Sequence, residues 1–322
     1  MRNCKPQTAI CKLFMATSTS ASGQPIEFFN RHTGRVETEQ VYGEWWLRWG
    51  YETRLGRLAI WTFAQRAWFG KWYGWRMRRP VSRARIAPFI QHYGLEAAEF
   101  ARAPESFASF DDFFSRTLRP GARPIEGGAD TAVFGADGRH LGFPDASQAE
   151  GVFVKGQQWD IAALLDDSEL ARIYGRGTLV LSRLCPVDYH RFHFPCDGTP
   201  GPARLINGTL ASVNPIALRR RLERLWENKR VVTILETAKF GKVLLLEIGA
   251  TNVGSITETF APGKAVAKGD EKGFFSFGGS ATMTIFEPGR VKLAEDLVEQ
   301  TKAGRELYAS MGTVLGKVEG RR

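Results

Sequence analysis

The sequence predicts an α+β chain, with a helical region over residues 26–120 followed by a β-rich domain of sandwich or barrel type over residues 121–322. Three observations carry that prediction. Trp61, Trp68, Trp72 and Trp75 are spaced by seven, four and three, which sets them on one side of a helix. From Ala132 onward the chain breaks into short apolar runs separated by Gly, Pro and Asn, the texture of strands and turns. Between the two textures, Pro120–Gly128 reads as a linker.

In chain order, residues 1–25 carry Arg2, Lys5 and Lys12, no acid, and a Thr/Ser run at Thr17–Ser22. Lys12 interrupts the one apolar stretch that would suit a signal peptide, so a disordered tail is expected. Residues 41–118 read as helical, with a break at Arg79-Pro80 and a restart at Ser109 or Asp111, both good N-caps. The longest uncharged apolar run there, Leu58–Ala64, is far too short to span a bilayer.

The net charge of +10 is concentrated in this region: Val41–Gln91 holds ten Arg or Lys against Glu44 and Glu52, and seven of the nine tryptophans. Arg66, Lys71, Arg76, Arg78 and Arg79 interleave with the aromatic positions. Tryptophan with arginine suits an anionic lipid headgroup layer, where each basic residue contributes about 1 kcal/mol of attraction. The same spacing also fits a tryptophan-packed helical core with a solvated arginine face, and both readings stay open here. No nucleic-acid-binding motif accompanies the charge.

In the β-rich half, Thr178–Ser182, Ala203–Ile206, Val231–Leu235, Lys242–Ile248 and Ala281–Phe286 read as strands. One helix interrupts them, Asn214–Asn228, where Ile216, Leu218, Leu222 and Leu225 share a face. Cys4, Cys11, Cys185 and Cys196 form no CxxC pair and are too few for a disulfide framework, which favours free thiols in a reducing compartment.

Three short segments carry the candidate chemistry. His190 and His193 lie three apart in Asp188-Tyr-His-Arg-Phe-His-Phe-Pro195, and histidine is the usual proton handler at neutral pH. Only Asp188 and Cys196 stand near enough to complete a metal set, so no metal is expected. Gly278 and Gly279 immediately precede Ser280, and a strand-like run follows it. Lacking Cβ atoms, the two glycines permit a strained backbone and leave the Gly279 carbonyl open to the neighbouring hydroxyl. Asp137, in Phe134-Gly-Ala-Asp-Gly-Arg139, is by itself an ordinary turn residue.

Together, and in this order, the segments resemble one family, the phosphatidylserine decarboxylases. The resemblance rests on Ala136-Asp-Gly-Arg139, on Asp188-Tyr-His-Arg-x-His-x-Pro195 and on Gly279-Ser280. Phe110-Asp-Asp-Phe-Phe-Ser-Arg116, Arg123-Pro-Ile125, Ile248–Ile256 and Lys268-Gly-Asp-Glu271 are similar to further family segments, so the likeness covers roughly residues 26–290. One departure is Ala281, where the family usually has threonine.

The resemblance implies a proenzyme that cuts itself between Gly279 and Ser280, with Asp137 orienting His193 and His193 deprotonating Ser280. Ser280 is thereby converted into a covalent pyruvoyl group, the electron sink for decarboxylating phosphatidylserine to phosphatidylethanolamine and carbon dioxide. His190 is the implied proton donor to the substrate carbon. The two chains are expected to stay associated, with room for a homodimer, as a peripheral protein on the cytoplasmic face of a bacterial cell membrane. Two rival readings are a homologue that binds phospholipid without processing, and a lipoyl-like β-domain interaction protein suggested by Pro262-Gly-Lys-x-Val-x-Lys-Gly-Asp270.

Overall fold

The computed structural model describes residues 26–39, 53, 67–149, 160–209, 224–249, 256–278 and 280–320. Strands begin earlier than the sequence reading has them. Glu27–Asn30 (β1) and Arg35–Thr38 (β2) form an antiparallel hairpin, which corrects the helical assignment at the start of residues 26–120. The physical reason is local: four-residue runs are too short for a stable helix, and Gly34, at φ +67°, supplies the left-handed turn between them.

Helix follows in Ala67–Arg78 (α1), Ile86–Tyr93 (α2) and Phe110–Phe114 (α3). Pro80, which has no N–H to donate, opens a 3-10 turn over Pro80–Arg85 rather than continuing α1. α3 is capped by Ser109, whose hydroxyl accepts the Asp112 N–H at 3.2 Å. These elements enclose an aromatic cluster of Phe89, Phe100, Phe107, Phe110, Phe113 and Phe114, with Met77 and Ile86. Phe277, from the β-rich half, is buried in the same cluster. Each such ring contributes about 1.5–3 kcal/mol relative to an exposed one, so the cluster ties the helical layer to the chain just before Ser280.

The β-rich half begins with Thr131–Val133 (β3), Gly138–Phe143 (β4), the short helices Ile161–Leu165 (α4) and Ser168–Tyr174 (α5), and Thr178–Leu184 (β5). Arg191–His193 (β6), Thr199–Pro200 (β7), Arg204–Ile206 (β8), Arg224–Glu227 (α6), Arg230–Thr237 (β9) and Gly241–Gly249 (β10) continue it. Then come Ile256–Glu258 (β11), Glu271–Phe275 (β12), Ser280–Phe286 (β13), Val291–Leu293 (β14), Glu295–Lys302 (α7), Glu306–Ala309 (β15) and Val314–Val318 (β16). Of the expected helix Asn214–Asn228, residues 214–223 lie outside the described residues.

The main sheet runs β2-β1-β15-β4-β5-β13-β10-β9-β7, with β8 also paired to β9. Its central strands are apolar on both faces: Leu244, Leu246 and Ile248 of β10 enter one core, Val243 and Leu245 the other. That two-sided burial is why these strands read as continuous apolar runs. Smaller sheets, β11-β12-β6 and β14-β16-β3, complete the architecture.

One feature of the topology builds the site. β5 and β13 are antiparallel neighbours in the main sheet, and β6 and β12 are antiparallel neighbours in a small one. The chain leaves β5 for β6 through residues 185–190 and returns from β12 to β13 through residues 276–279. The two crossovers therefore leave one sheet and enter the other side by side, and His190 and Ser280 stand at their ends.

Candidate active site

Ser280 opens β13, wholly buried, opposite Leu184 of β5 and Gly249 of β10. Its Oγ lies 3.3 Å from Nδ1 of His190. The other ring nitrogen, Nε2, is 2.9 Å from the Cys185 carbonyl, which can only accept, so Nε2 carries the proton and Nδ1 presents a lone pair to the hydroxyl. His190 is wholly buried and stacked on Phe114, ring centroids 3.9 Å apart. Burial first, and the nearby Arg116 charge second, push its pKa down to about 3. The ring is thus a neutral acceptor throughout the physiological pH range.

His193 sits in β6 with Nδ1 3.0 Å from the Gly269 carbonyl, so the same logic leaves Nε2 as its acceptor. Nε2 is buried and makes no hydrogen bond, and burial, the largest cause, lowers the ring's pKa. Two glycines fix this placement. A Cβ on Gly135 would lie 2.5 Å from the His193 carbonyl oxygen, and one on Gly269 (φ +90°) would strike Ile125 at 2.6 Å. Lys268-Gly-Asp and Arg123-Pro-Ile125 are therefore parts of one seat for His193.

Asp137 is buried and held by Arg123, whose Nε and Nη2 donate to Oδ2 at 2.9 and 2.7 Å, while the Met311 N–H donates to Oδ1 at 2.8 Å. No hydrogen bond joins Asp137 to His193, nor His193 to Ser280, among the described residues. The structure thus brings Ser280 together with His190 and keeps His193 and Asp137 in separate neighbouring contacts. Gly279 lies outside the described residues, but Gly278, at φ +144°, holds a conformation that favours glycine two residues before Ser280.

Sequence reasoning missed several supports. Asp188 reads as a member of the histidine segment, yet its carboxylate pairs with Arg139 at 2.7 Å and accepts the Cys185 N–H at 2.6 Å, pinning the carbonyl turn on which His190 rests. Glu39 and Glu306 flank Arg183 at 2.5 and 2.6 Å, and the paired arginines lower the Glu39 pKa to about 2 against the burial that would raise it. Asp111 accepts the Phe277 N–H at 2.9 Å. Apart from the local Asp188–Cys185 contact, these pairs have no spacing signal, since each joins segments far apart in sequence.

The phosphatidylserine decarboxylase family model matches residues 110–317. A phosphatidylserine decarboxylase proenzyme of Chlamydia pneumoniae is 41% identical over 91% of this chain and 98% of its own length, and one of Chlamydia muridarum is 45% identical over the same shares. One of Desulfitobacterium hafniense strain Y51 is 40% identical over 90% of this chain and 98% of its own. The chain belongs to the phosphatidylserine decarboxylase family. Carboxy-lyase is the enzyme class that goes with that membership, and self-processing of a proenzyme is the family's habit, which favours the enzyme over both rival readings. Within the segment that suggests the lipoyl-like reading, Lys268 Nζ is engaged, donating to the carbonyls of Glu126, Gly127 and Gly128.

Proposed function

We propose that this chain cuts itself between Gly279 and Ser280, and that the resulting pyruvoyl group at residue 280 decarboxylates phosphatidylserine to phosphatidylethanolamine. The observation that carries the proposal is the 3.3 Å approach of Ser280 Oγ to a neutral imidazole with its lone pair free. In the processing reaction the Ser280 oxygen attacks the Gly279 carbonyl carbon, and the peptide nitrogen leaves as the amine of Ser280, giving an ester. Loss of the Ser280 α-proton then breaks the Cβ–O bond and expels the Gly279 carboxylate. Water finally displaces the nitrogen as ammonia and leaves the ketone. The residue environment suits such a group: it is wholly buried, it faces the neutral His190 imidazole, and Gly278 two residues before it stands at φ +144°.

The pyruvoyl group supplies the electron sink for the bond to carbon dioxide. The chain's own residues supply the proton transfers, and the family motif assigns removal of the Ser280 proton to His193, oriented by Asp137, and delivery to the substrate carbon to His190. The free, buried Nε2 of His193 supports a base role there. A second reading is favoured by the 3.3 Å contact: His190 takes the serine proton as well, and His193 serves a later step. Both keep the same four residues, Asp137, His190, His193 and Ser280.

We further propose a peripheral seat on an anionic membrane surface, on the cytoplasmic face of a bacterial cell. Among the described residues no helix is long and apolar enough to cross a membrane. Trp72 and Trp75 of α1 are 44% and 50% exposed, with the guanidinium of Arg76 over the first ring and that of Arg79 over the second. Aromatic rings beside cations on an exposed face are suited to a headgroup layer. Of the other five tryptophans in Val41–Gln91, Trp45, Trp46, Trp49 and Trp61 lie outside the described residues, as does the Trp68 side chain.

Intact mass of the purified protein tests the central proposal. Two chains are expected, residues 1–279 and 280–322, the smaller with a pyruvoyl terminus, and Ser280→Ala is expected to stay as one inactive chain. A wild-type protein that remains uncleaved, or a Ser280→Ala variant that is cleaved, overturns it. Native mass in the same experiment reads whether two matured pairs form a homodimer.

A further inference from the structure

Among the buried arginines Arg116 differs from the rest. Arg139 and Arg183 each face a carboxylate within 3.4 Å, as does the half-buried Arg123, and Arg230 donates to the carbonyls of Ala163, Leu164 and Asn228. Arg116 is only 4% exposed, yet it has no carboxylate partner among the described residues. One nitrogen, Nη2, reaches the carbonyls of Val187 and Asp188 at 3.3 and 3.2 Å. Nε and Nη1 are buried with no hydrogen-bond partner. The nearest acids are already committed, Asp137 to Arg123 and Asp188 to Arg139.

An ion held out of water without a counter-ion is costly unless something else gives it a partner. Burial accordingly lowers the guanidinium's pKa to about 10. Its position is specific. The guanidinium lies over the Phe100 and Phe113 rings at 5.1 and 5.0 Å, two residues along the chain from the Phe114 that stacks on His190. It also hydrogen-bonds the turn that carries His190. Arg116, His190 and Ser280 are all buried, and the Asp188 carbonyl that Arg116 meets lies two residues before His190, which sets the guanidinium beside the chain bearing the imidazole that faces Ser280.

We propose that Arg116 binds the phosphodiester of the substrate headgroup and is a specificity-determining residue of the reaction. The inference rests on the functional reading above. Phosphatidylserine brings two anions, a carboxylate and a phosphodiester. A guanidinium on the carboxylate would stabilise the ground state more than the transition state, where that charge is leaving as carbon dioxide. The phosphodiester keeps its charge throughout, so a cation there strengthens binding at no cost to the chemical step. An arginine with two open donors matches two phosphate oxygens.

The test uses matured enzyme in detergent, with short-chain phosphatidylserine as substrate and two inhibitors, glycerophosphoethanolamine and ethanolamine, which differ by the phosphodiester. Wild type is expected to prefer glycerophosphoethanolamine by tenfold or more. Arg116→Gln is expected to raise KM roughly 10- to 100-fold with kcat nearly unchanged and to erase that preference, and Arg116→Lys is expected to restore part of both. If Arg116→Gln raises KM while inhibition by glycerophosphoethanolamine is unchanged, the carboxylate is the ligand and the proposal fails. It fails equally if kcat falls with KM and both inhibition constants unchanged, which marks a positioning residue for His190. Should Arg116→Gln not mature, the wild-type inhibitor pair and Arg116→Lys still decide: no preference in wild type sinks the proposal. An uncleaved wild-type protein condemns the reaction reading instead.

Discussion

Asp111 accepts the backbone N–H of Phe277 at 2.9 Å, so α3 grips the chain three residues before Ser280. The same helix presents Phe114 to the His190 ring, and Phe110 and Phe114 pack on Phe277 with centroids 5.3 and 4.9 Å apart. A short helix of the N-terminal layer therefore fixes both the nucleophile's approach and the imidazole that meets it.

Removing that grip is expected to slow maturation without unfolding the protein. Asp111→Ala leaves the Phe277 N–H without its partner and lets residues 276–279 drift, and a misplacement of about 1 Å costs on the order of 100-fold in a reaction of this kind. Asp111→Asn keeps an acceptor oxygen and is expected to process faster than the alanine variant. Time courses of chain cleavage in a cell-free expression system, followed by electrophoresis, check both. Equal rates for wild type and Asp111→Ala would show that Phe277 packing alone holds the loop.

Much of the fold is legible in the sequence because burial writes it there. β10 and the apolar stretches Leu179–Leu181 of β5 and Val231–Val232 of β9 run apolar on successive residues since both faces of the main sheet are covered, β13 shows alternation instead, and Ser109 announces α3 through its cap. The hairpin of β1 and β2 escapes notice because its partner is β15, nearly three hundred residues away, and a four-residue edge strand carries almost no periodicity. For the proposed site the sequence names candidate residues but not their pairings. Spacing cannot say that Nδ1 of His190, rather than a nitrogen of His193, faces Ser280, because that depends on how the two crossovers leave their sheets. Arg116 and Asp111 read only as helix-end charges until the β-rich half is laid against them.

Vesicle binding is expected to depend on the exposed edge of α1. Replacing Arg76, Arg78 and Arg79 by glutamate reverses three charges beside Trp72 and Trp75, and each lost basic residue near an anionic surface removes about 1 kcal/mol. Co-sedimentation with phosphatidylglycerol-containing vesicles should fall at least tenfold in affinity, and wild-type binding should weaken as salt rises, since screening acts over about 8 Å at physiological ionic strength. Unchanged binding by the triple variant would return these arginines to a solvated face.

Stability is expected to fall in mild acid because of buried neutral histidines. His140 lies between the Ser182 hydroxyl and the Ala309 carbonyl, stacked on Phe134, and burial, its largest influence, lowers its pKa to about 3, the same value as His190. In the unfolded chain both titrate near 6.5, so the unfolded state binds more protons below that pH, and stability present above pH 6.5 is lost as pH falls toward 3. Each ring contributes about 1.4 kcal/mol per pH unit once the unfolded histidine is protonated. Glu39, lowered to about 2, begins to act only below its ordinary 4.5. Denaturant midpoints between pH 5 and 6.5 should therefore drop steeply in wild type and less steeply in His140→Gln, and equal slopes would show that His140 is not held neutral.

The two histidines of the proposed site are expected to be separable, because removing the Ser280 proton and delivering a proton to the substrate carbon happen at different times. The motif reading expects His193→Ala to block cleavage, and His190→Ala to cleave but to decarboxylate poorly, losing roughly the 10²- to 10⁴-fold that a positioned acid-base group supplies. The geometry presses the other way on the first step: His190 Nδ1 is 3.3 Å from Ser280 Oγ, while His193 Nε2 touches neither Ser280 nor Asp137. A change of contact on the way to the transition state would reconcile them, since hydrogen bonds of a resting site commonly tighten only as reaction begins. Asp137→Asn sharpens the comparison. Its carboxylate binds Arg123 and the Met311 N–H, so if Asp137 acts by orienting His193 the variant should match His193→Ala in cleavage, and if it acts only by anchoring the linker it should cleave like wild type once folded. Scoring cleavage by electrophoresis, and carbon dioxide release per mole of pyruvoyl chain, reads all three variants in one experiment. An uncleaved His190→Ala beside a maturing His193→Ala assigns the serine proton to His190.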